Sequence, residues 1–184
     1  THSYQIDPGG QWAFHTYSTF DVPPVISLIS LPGHEQIRIM ESNSALHKKV
    51  AELENQPTEF FRIKTEDDLD FDAWFIKPPY FDPSKKYPLF FYVYGEPAGQ
   101  TVLDRWSGRR TLWHQLIAQQ GYLVMSVDNR GTPGPRGRDW RKSIYRQIGI
   151  LASQDQAAAA EAIIKTRPYV DKDRIGIWGW SGGG

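Results

Sequence analysis

With 184 residues, 40% of them hydrophobic and 14% aromatic, the chain has ample material for a packed core and no composition of disorder. Its 21 basic residues balance its 21 acidic ones, so a net charge of zero lends no support to nucleic-acid or anionic-membrane binding. With no cysteine, disulfides, thiolate catalysis and cysteine-ligated zinc are excluded within it, and no apolar run approaches the ~20 residues that span a bilayer. Opening at Thr1 without a basic-then-apolar leader, the chain has either no signal peptide or a true N-terminus upstream, and its abrupt end makes a piece of a longer protein the expectation.

Residues 1–41 read as β-structure. Trp12–Ser18 alternates bulky with small or polar residues, and Val25–Ser30 and Gln36–Met40 follow at short spacing. Asp7-Pro8-Gly9-Gly10, Val22-Pro23-Pro24 and Pro32-Gly33 punctuate them as turns. Three or four short antiparallel strands make one propeller blade by count. A blade closes nothing alone, so it would be the last of an array; a small β-extension on the next domain is the plainer reading. Over 42–57 a linking helix is predicted, capped by Asn43, carrying Leu46, Val50 and Leu53 on one face and stopped by Pro57.

From Thr58 the pattern changes, and 58–184 reads as a second domain. Phe60–Ile63 and Leu69–Ile76 alternate as two strands around the acidic turn Glu66-Asp67-Asp68. Tyr87–Tyr94 is a near-continuous apolar run, as in strands covered on both faces. A helix around Leu112–Ala118, a strand at Tyr122–Val127, a longer helix from Ser153 to Lys165 and a strand at Ile175–Trp178 follow. Such alternation predicts an α/β fold with a doubly wound, mostly parallel sheet, whose sites lie at the carboxyl ends of strands. Tyr94, Asp128 and Ser181 all fall there.

The last strand runs straight into Gly179-Trp180-Ser181-Gly182-Gly183, which fits G-x-S-x-G. In that elbow a serine occupies a strained strand-to-helix turn, with glycines where a Cβ would obstruct. A glycine-rich loop closing a strand is the plain alternative, but the preceding strand favours Ser181 as a nucleophile. A serine hydroxyl needs a histidine base oriented by a carboxylate. In α/β-hydrolases both follow the serine in sequence, so they are expected beyond Gly184. His2, His15, His34, His47 and His114 read as surface or packing residues, and the chain alone is expected to be inert. The Gly182 N–H and the Tyr94 phenol are candidate oxyanion donors. A buried tyrosine ending a strand is the equal alternative for Tyr94. Glu96, near Tyr94, is a candidate for a charged substrate group. Arg130 could position substrate, though organising the carbonyls of its own loop is the better reading. Gly131–Gly137 is glycine-rich but lacks the phosphate-binding lysine. Arg105, Arg109, Arg110 and Lys48-Lys49 read as solvated faces. No grouping has metal-ligand spacing, and no cofactor is expected.

Several stretches together resemble the prolyl oligopeptidase family, in its dipeptidyl peptidase IV branch. Arg174–Ser181 is similar to the family's serine strand, and Lys85–Leu89 with Val93-Tyr94-Gly95-Glu96-Pro97 to its first buried strand and oxyanion loop. Glu41–Leu46 resembles the helix leaving its propeller, and Asp128-Asn129-Arg130-Gly131 the loop after its fourth strand. The resemblance, spread from about residue 40 to the end, implies the N-terminal half of an α/β-hydrolase preceded by the last blade of a β-propeller. It further implies a serine exopeptidase that releases N-terminal dipeptides, often after proline or alanine. By carry-over Ser181 is the nucleophile, and the Tyr94 hydroxyl and Gly182 N–H form the oxyanion hole, with Trp180 beside the substrate. The family's tyrosine after the serine is Gly182 here, which removes an aromatic wall near the proline pocket, so strict proline preference does not follow. The propeller glutamates that hold the substrate's amino group would lie upstream. Peptides are the expected partners, a homodimer the expected assembly, and the bacterial periplasm or exterior the expected location. A general esterase, an acylaminoacyl- or oligopeptidase, and a non-catalytic binding protein remain the alternatives.

Overall fold

A computed structural model describes all residues, Thr1–Gly184, and the chain divides into two compact units. The first comprises Thr1–Glu54 and Leu103–Trp113, the second Asn55–Val102 and His114–Gly184.

In the first unit, β1 (His2–Ile6), β2 (Trp12–Tyr17), β3 (Val25–Ser30) and β4 (Gln36–Glu41) form one antiparallel sheet in chain order. The strand β1 was not located from sequence, because its alternation of Ser3 and Gln5 with Tyr4 and Ile6 buries none of its residues. Asp7 sets the turn between β1 and β2: its carboxylate accepts from the amides of Gly9, Gln11 and Trp12, which lowers its pKa. The 103–113 segment is tied to the same unit by the Asp104 carboxylate, which accepts from the Phe20 amide at 2.6 Å, and by Ser18 Oγ, which accepts from the Trp106 amide. Ile6, Trp12, Phe14 and Ile37 line an apolar cleft of 590 Å³ on this sheet. Helix α1 (Ser44–Ala51) stops short of Pro57. Asn43 occupies its N-cap position at φ 49, but the side chain makes no cap bond and donates instead to the Pro24 carbonyl.

The second unit holds β5 (Glu59–Lys64), β6 (Asp70–Ile76), β7 (Tyr87–Val93), β8 (Leu123–Asp128) and β9 (Val170–Gly179), in the order β5-β6-β8-β7-β9. Four of the five strands run in one direction and β6 alone is reversed, so the sheet is mostly parallel. β7 pairs parallel with β8 and β9, but β5–β6 and β6–β8 are antiparallel. The reason is local: the tight 65–68 turn, closed by the Thr65 amide to the Leu69 carbonyl, returns the chain at once, so β6 runs against its neighbours.

Both faces of the central strands are covered, as their apolar runs require. On one face, Phe75, Phe91 and Val93 pack with Ala159 and Ile163 of α4 (Ile148–Thr166). On the other, Trp74, Tyr92 and Trp178 surround His114, from the C-terminal part of α2 (Arg109–Gln119), with ring centroids 5.0–5.5 Å away. His114 is 2% exposed, a packing residue as expected. The glycine-rich segment after β8 is a loop, as expected, and the short helix α3 (Gly137–Lys142) begins at its last residue. Helix α4 begins five residues before Ser153, the expected start.

Candidate active site

Strand β9 delivers Ser181 onto a turn. The serine has φ 55, a left-handed conformation that costs a non-glycine residue about 1–2 kcal/mol, and it is exposed. The Gly183 amide donates to the Trp180 carbonyl and the Gly184 amide to the Ser181 carbonyl, both at 3.0 Å, closing a short 3-10 turn. The Gly182 amide takes part in neither bond. Close approach explains the glycines here. A Cβ on Gly183 would overlap the Val93 carbonyl, and one on Gly182 would overlap the Glu96 side chain. The serine turn therefore packs directly against the residues that follow β7.

Those residues include Tyr94 and Glu96, both half-buried. Gly99 lies under the Tyr94 ring, where an added Cβ would come within 3.2 Å of it. Glu96 and Gly182 border a groove of 620 Å³ whose walls include Val93, Ile148, Ala152 and Ile177. Trp180 is 66% exposed beside the serine. Ser181, Gly182, Tyr94 and Glu96 thus come from two adjacent parallel strands and meet at their carboxyl ends.

Arg130 is placed differently from the expectation that it organises carbonyls. Its guanidinium donates to both carboxylate oxygens of Asp155 on α4, at 2.7–3.1 Å, and its backbone amide donates to the same group. Asp155 is buried, and the pair raises the Arg130 pKa. The carbonyl-binding role belongs to Asn129. Its side-chain amide donates to the Gly95 and Arg130 carbonyls, and its oxygen accepts from Gln156 Nε2. Asp128 accepts from Gln100 Nε2, from both the amide and hydroxyl of Thr101, and from the Val102 amide. Burial nonetheless pushes its pKa up. Neither Asn129 nor Gln156 was singled out from sequence. The available signal was the polar run Ser153–Gln156 inside a helix otherwise rich in alanine and isoleucine.

Residues 110–184 match the model of the prolyl oligopeptidase family. The dipeptidyl peptidase 4 proteins of Trichophyton equinum and Arthroderma otae are each 38% identical over 149 residues, 80% of this chain. The crystal structure of Porphyromonas gingivalis dipeptidyl peptidase 4 covers the whole chain with a TM-score of 0.92 at 43% identity. The chain belongs to the prolyl oligopeptidase family. It spans 19% of the length of those two curated relatives and 25% of the solved chain. Within this prolyl oligopeptidase family chain no helix is long and apolar enough to cross a membrane.

Proposed function

We propose that this chain is the nucleophile-bearing part of a serine exopeptidase that releases dipeptides from peptide N-termini. The observation that carries the reading is Ser181, exposed at positive φ directly after a parallel strand, with its turn packed against the Tyr94–Glu96 segment. Residues 58–184 are the N-terminal half of an α/β-hydrolase domain, 42–57 the link, and 1–41 the last blade of a β-propeller. The apolar cleft of Ile6, Trp12, Phe14 and Ile37 supports the last assignment, because a blade packs its sheet face on a neighbour.

In this reading Ser181 Oγ attacks the scissile carbonyl while its proton passes to a histidine supplied, with its carboxylate, from outside this chain. The Tyr94 hydroxyl and the Gly182 N–H hold the oxyanion as the tetrahedral intermediate forms. The leaving amine takes the proton, and water then releases the dipeptide from the acyl-serine. Glu96 and Trp180 face the substrate, with Glu96 available to a cationic group. Arg130, committed to Asp155, serves by shaping its loop. The longer protein works as a homodimer on peptides.

The test compares the longer protein that carries this chain with its Ser181→Ala variant. Substrates are chromogenic dipeptides with proline or alanine second, their N-acetylated forms, and a short-chain ester. Turnover of the free-amine dipeptides alone, lost in Ser181→Ala, is the expected result. Cleavage of the ester alone would replace the reading with an esterase, and no turnover at all with a binding protein.

A further inference from the structure

Two consecutive residues at the end of β8 grip opposite ends of the segment that carries Tyr94 and Glu96. Asn129 takes its beginning, through the Gly95 carbonyl at 3.1 Å. Asp128 takes its end, through Gln100, Thr101 and Val102 at 2.9–3.3 Å. Both side chains are buried, Asn129 completely. Burial makes these bonds costly to break, because a polar group stranded without water or partner loses its full solvation.

Further bonds fix the grip itself. Gln156 Nε2 donates to both the Val127 carbonyl and Asn129 Oδ1, so α4 sets which way the Asn129 amide faces. The Thr132 hydroxyl donates to the Asn129 carbonyl. At the other end Ser126 Oγ donates to the Tyr92 carbonyl at 2.6 Å and lies 2.7 Å from Thr101 Oγ1, and Trp74 Nε1 donates to the Thr101 carbonyl. Gly95 adopts φ +80, which frees its carbonyl to turn toward Asn129. The peptide that Asn129 holds joins Gly95 to Glu96, one residue past Tyr94, so a shift there is relayed through Gly95 to the phenol.

We infer that Asn129 is a positioning residue for the Tyr94 hydroxyl, acting through the Gly95 carbonyl and itself oriented by Gln156 of α4. The inference rests on the proposed oxyanion role of Tyr94. Asn129 touches no reacting atom. It keeps a donor in place that must already be aimed when charge develops, since donors that reorganise during the reaction stabilise the transition state less.

A double-mutant cycle in the longer protein tests this, with Tyr94→Phe, Asn129→Ala and the pair, each measured for kcat, KM and thermal unfolding. Tyr94→Phe is expected to lower kcat roughly 100-fold, as loss of one oxyanion donor does. Asn129→Ala is expected to lower kcat about tenfold with KM little changed, and to add almost nothing in the Tyr94→Phe background. A tetrahedral boronate inhibitor should lose affinity in Asn129→Ala by a factor similar to that in kcat. Full additivity of the two substitutions would overturn the inference, as would an Asn129→Ala enzyme with unchanged kcat. An unchanged kcat in Tyr94→Phe would instead remove the oxyanion role beneath it. Should Asn129→Ala fail to fold, Gln156→Met runs the same cycle, keeping the side chain's length while removing its donors.

Discussion

At Gly182 and Gly183 the same missing Cβ has two different reasons. The obstacle at Gly183 is the Val93 carbonyl, part of a central strand that cannot yield. The obstacle at Gly182 is the Glu96 side chain, which can rotate away. Gly183→Ala is therefore expected to displace the serine turn and lower kcat/KM at least 100-fold, whereas Gly182→Ala should cost less than tenfold. Steady-state assays of both variants, read beside their unfolding temperatures, check the contrast. Equal losses would mean that Glu96 is as fixed as the backbone.

Among the elements, α4 contributes most beyond packing. Its Ala159 and Ile163 close one face of the sheet, while Asp155 and Gln156, one turn earlier, reach the 128–130 segment. Removing Asp155 would leave the Arg130 guanidinium, only a quarter exposed, without its counter-charge. Asp155→Ala is expected to cost roughly 3 kcal/mol, measurable as a lower urea midpoint at unchanged slope. A loss below about 1 kcal/mol would place the pair among surface bridges of little consequence. The elements themselves were largely legible. Apolar runs at Tyr87–Tyr94 and Tyr122–Val127 marked the buried strands, and the G-x-S-x-G turn marked the serine. Less legible were contacts between residues distant in sequence. Nothing local tells that Asn129 faces Gly95 or that Arg130 is answered by Asp155, since tertiary packing makes both pairs.

Across the whole molecule, pH acts with opposite signs at two groups. Burial, with His34 and His2 nearby, holds the His15 pKa below its ordinary value. The rings of His15 and His2 are nearly parallel, 7° apart, with Nδ1 of His2 2.8 Å from Nε2 of His15. The unfolded chain takes up this proton first, so the His15 contribution is intact above about pH 6.5 and is lost as pH falls through the depressed folded value. Asp128, with its raised pKa, contributes oppositely: its share is full below about pH 3.9 and is lost as pH rises through the folded value. Unfolding temperature should therefore drop between pH 7 and 5, and His15→Gln should flatten that slope. An identical slope in the variant would assign the drop to other groups.

The position of β9 has a consequence for handling these residues in isolation. It is an edge of the sheet, with one side of its backbone ladder open and Ile177 two-thirds exposed. Its first half carries Asp171, Lys172, Asp173 and Arg174, charges of the sort that keep open edges from zipping to one another. From Ile175 to Trp178 no charge remains. The stretch leading to the serine is thus also the adhesive margin of the sheet, and a polypeptide made of these residues alone would gel or precipitate by strand addition there before its chemistry could be assayed.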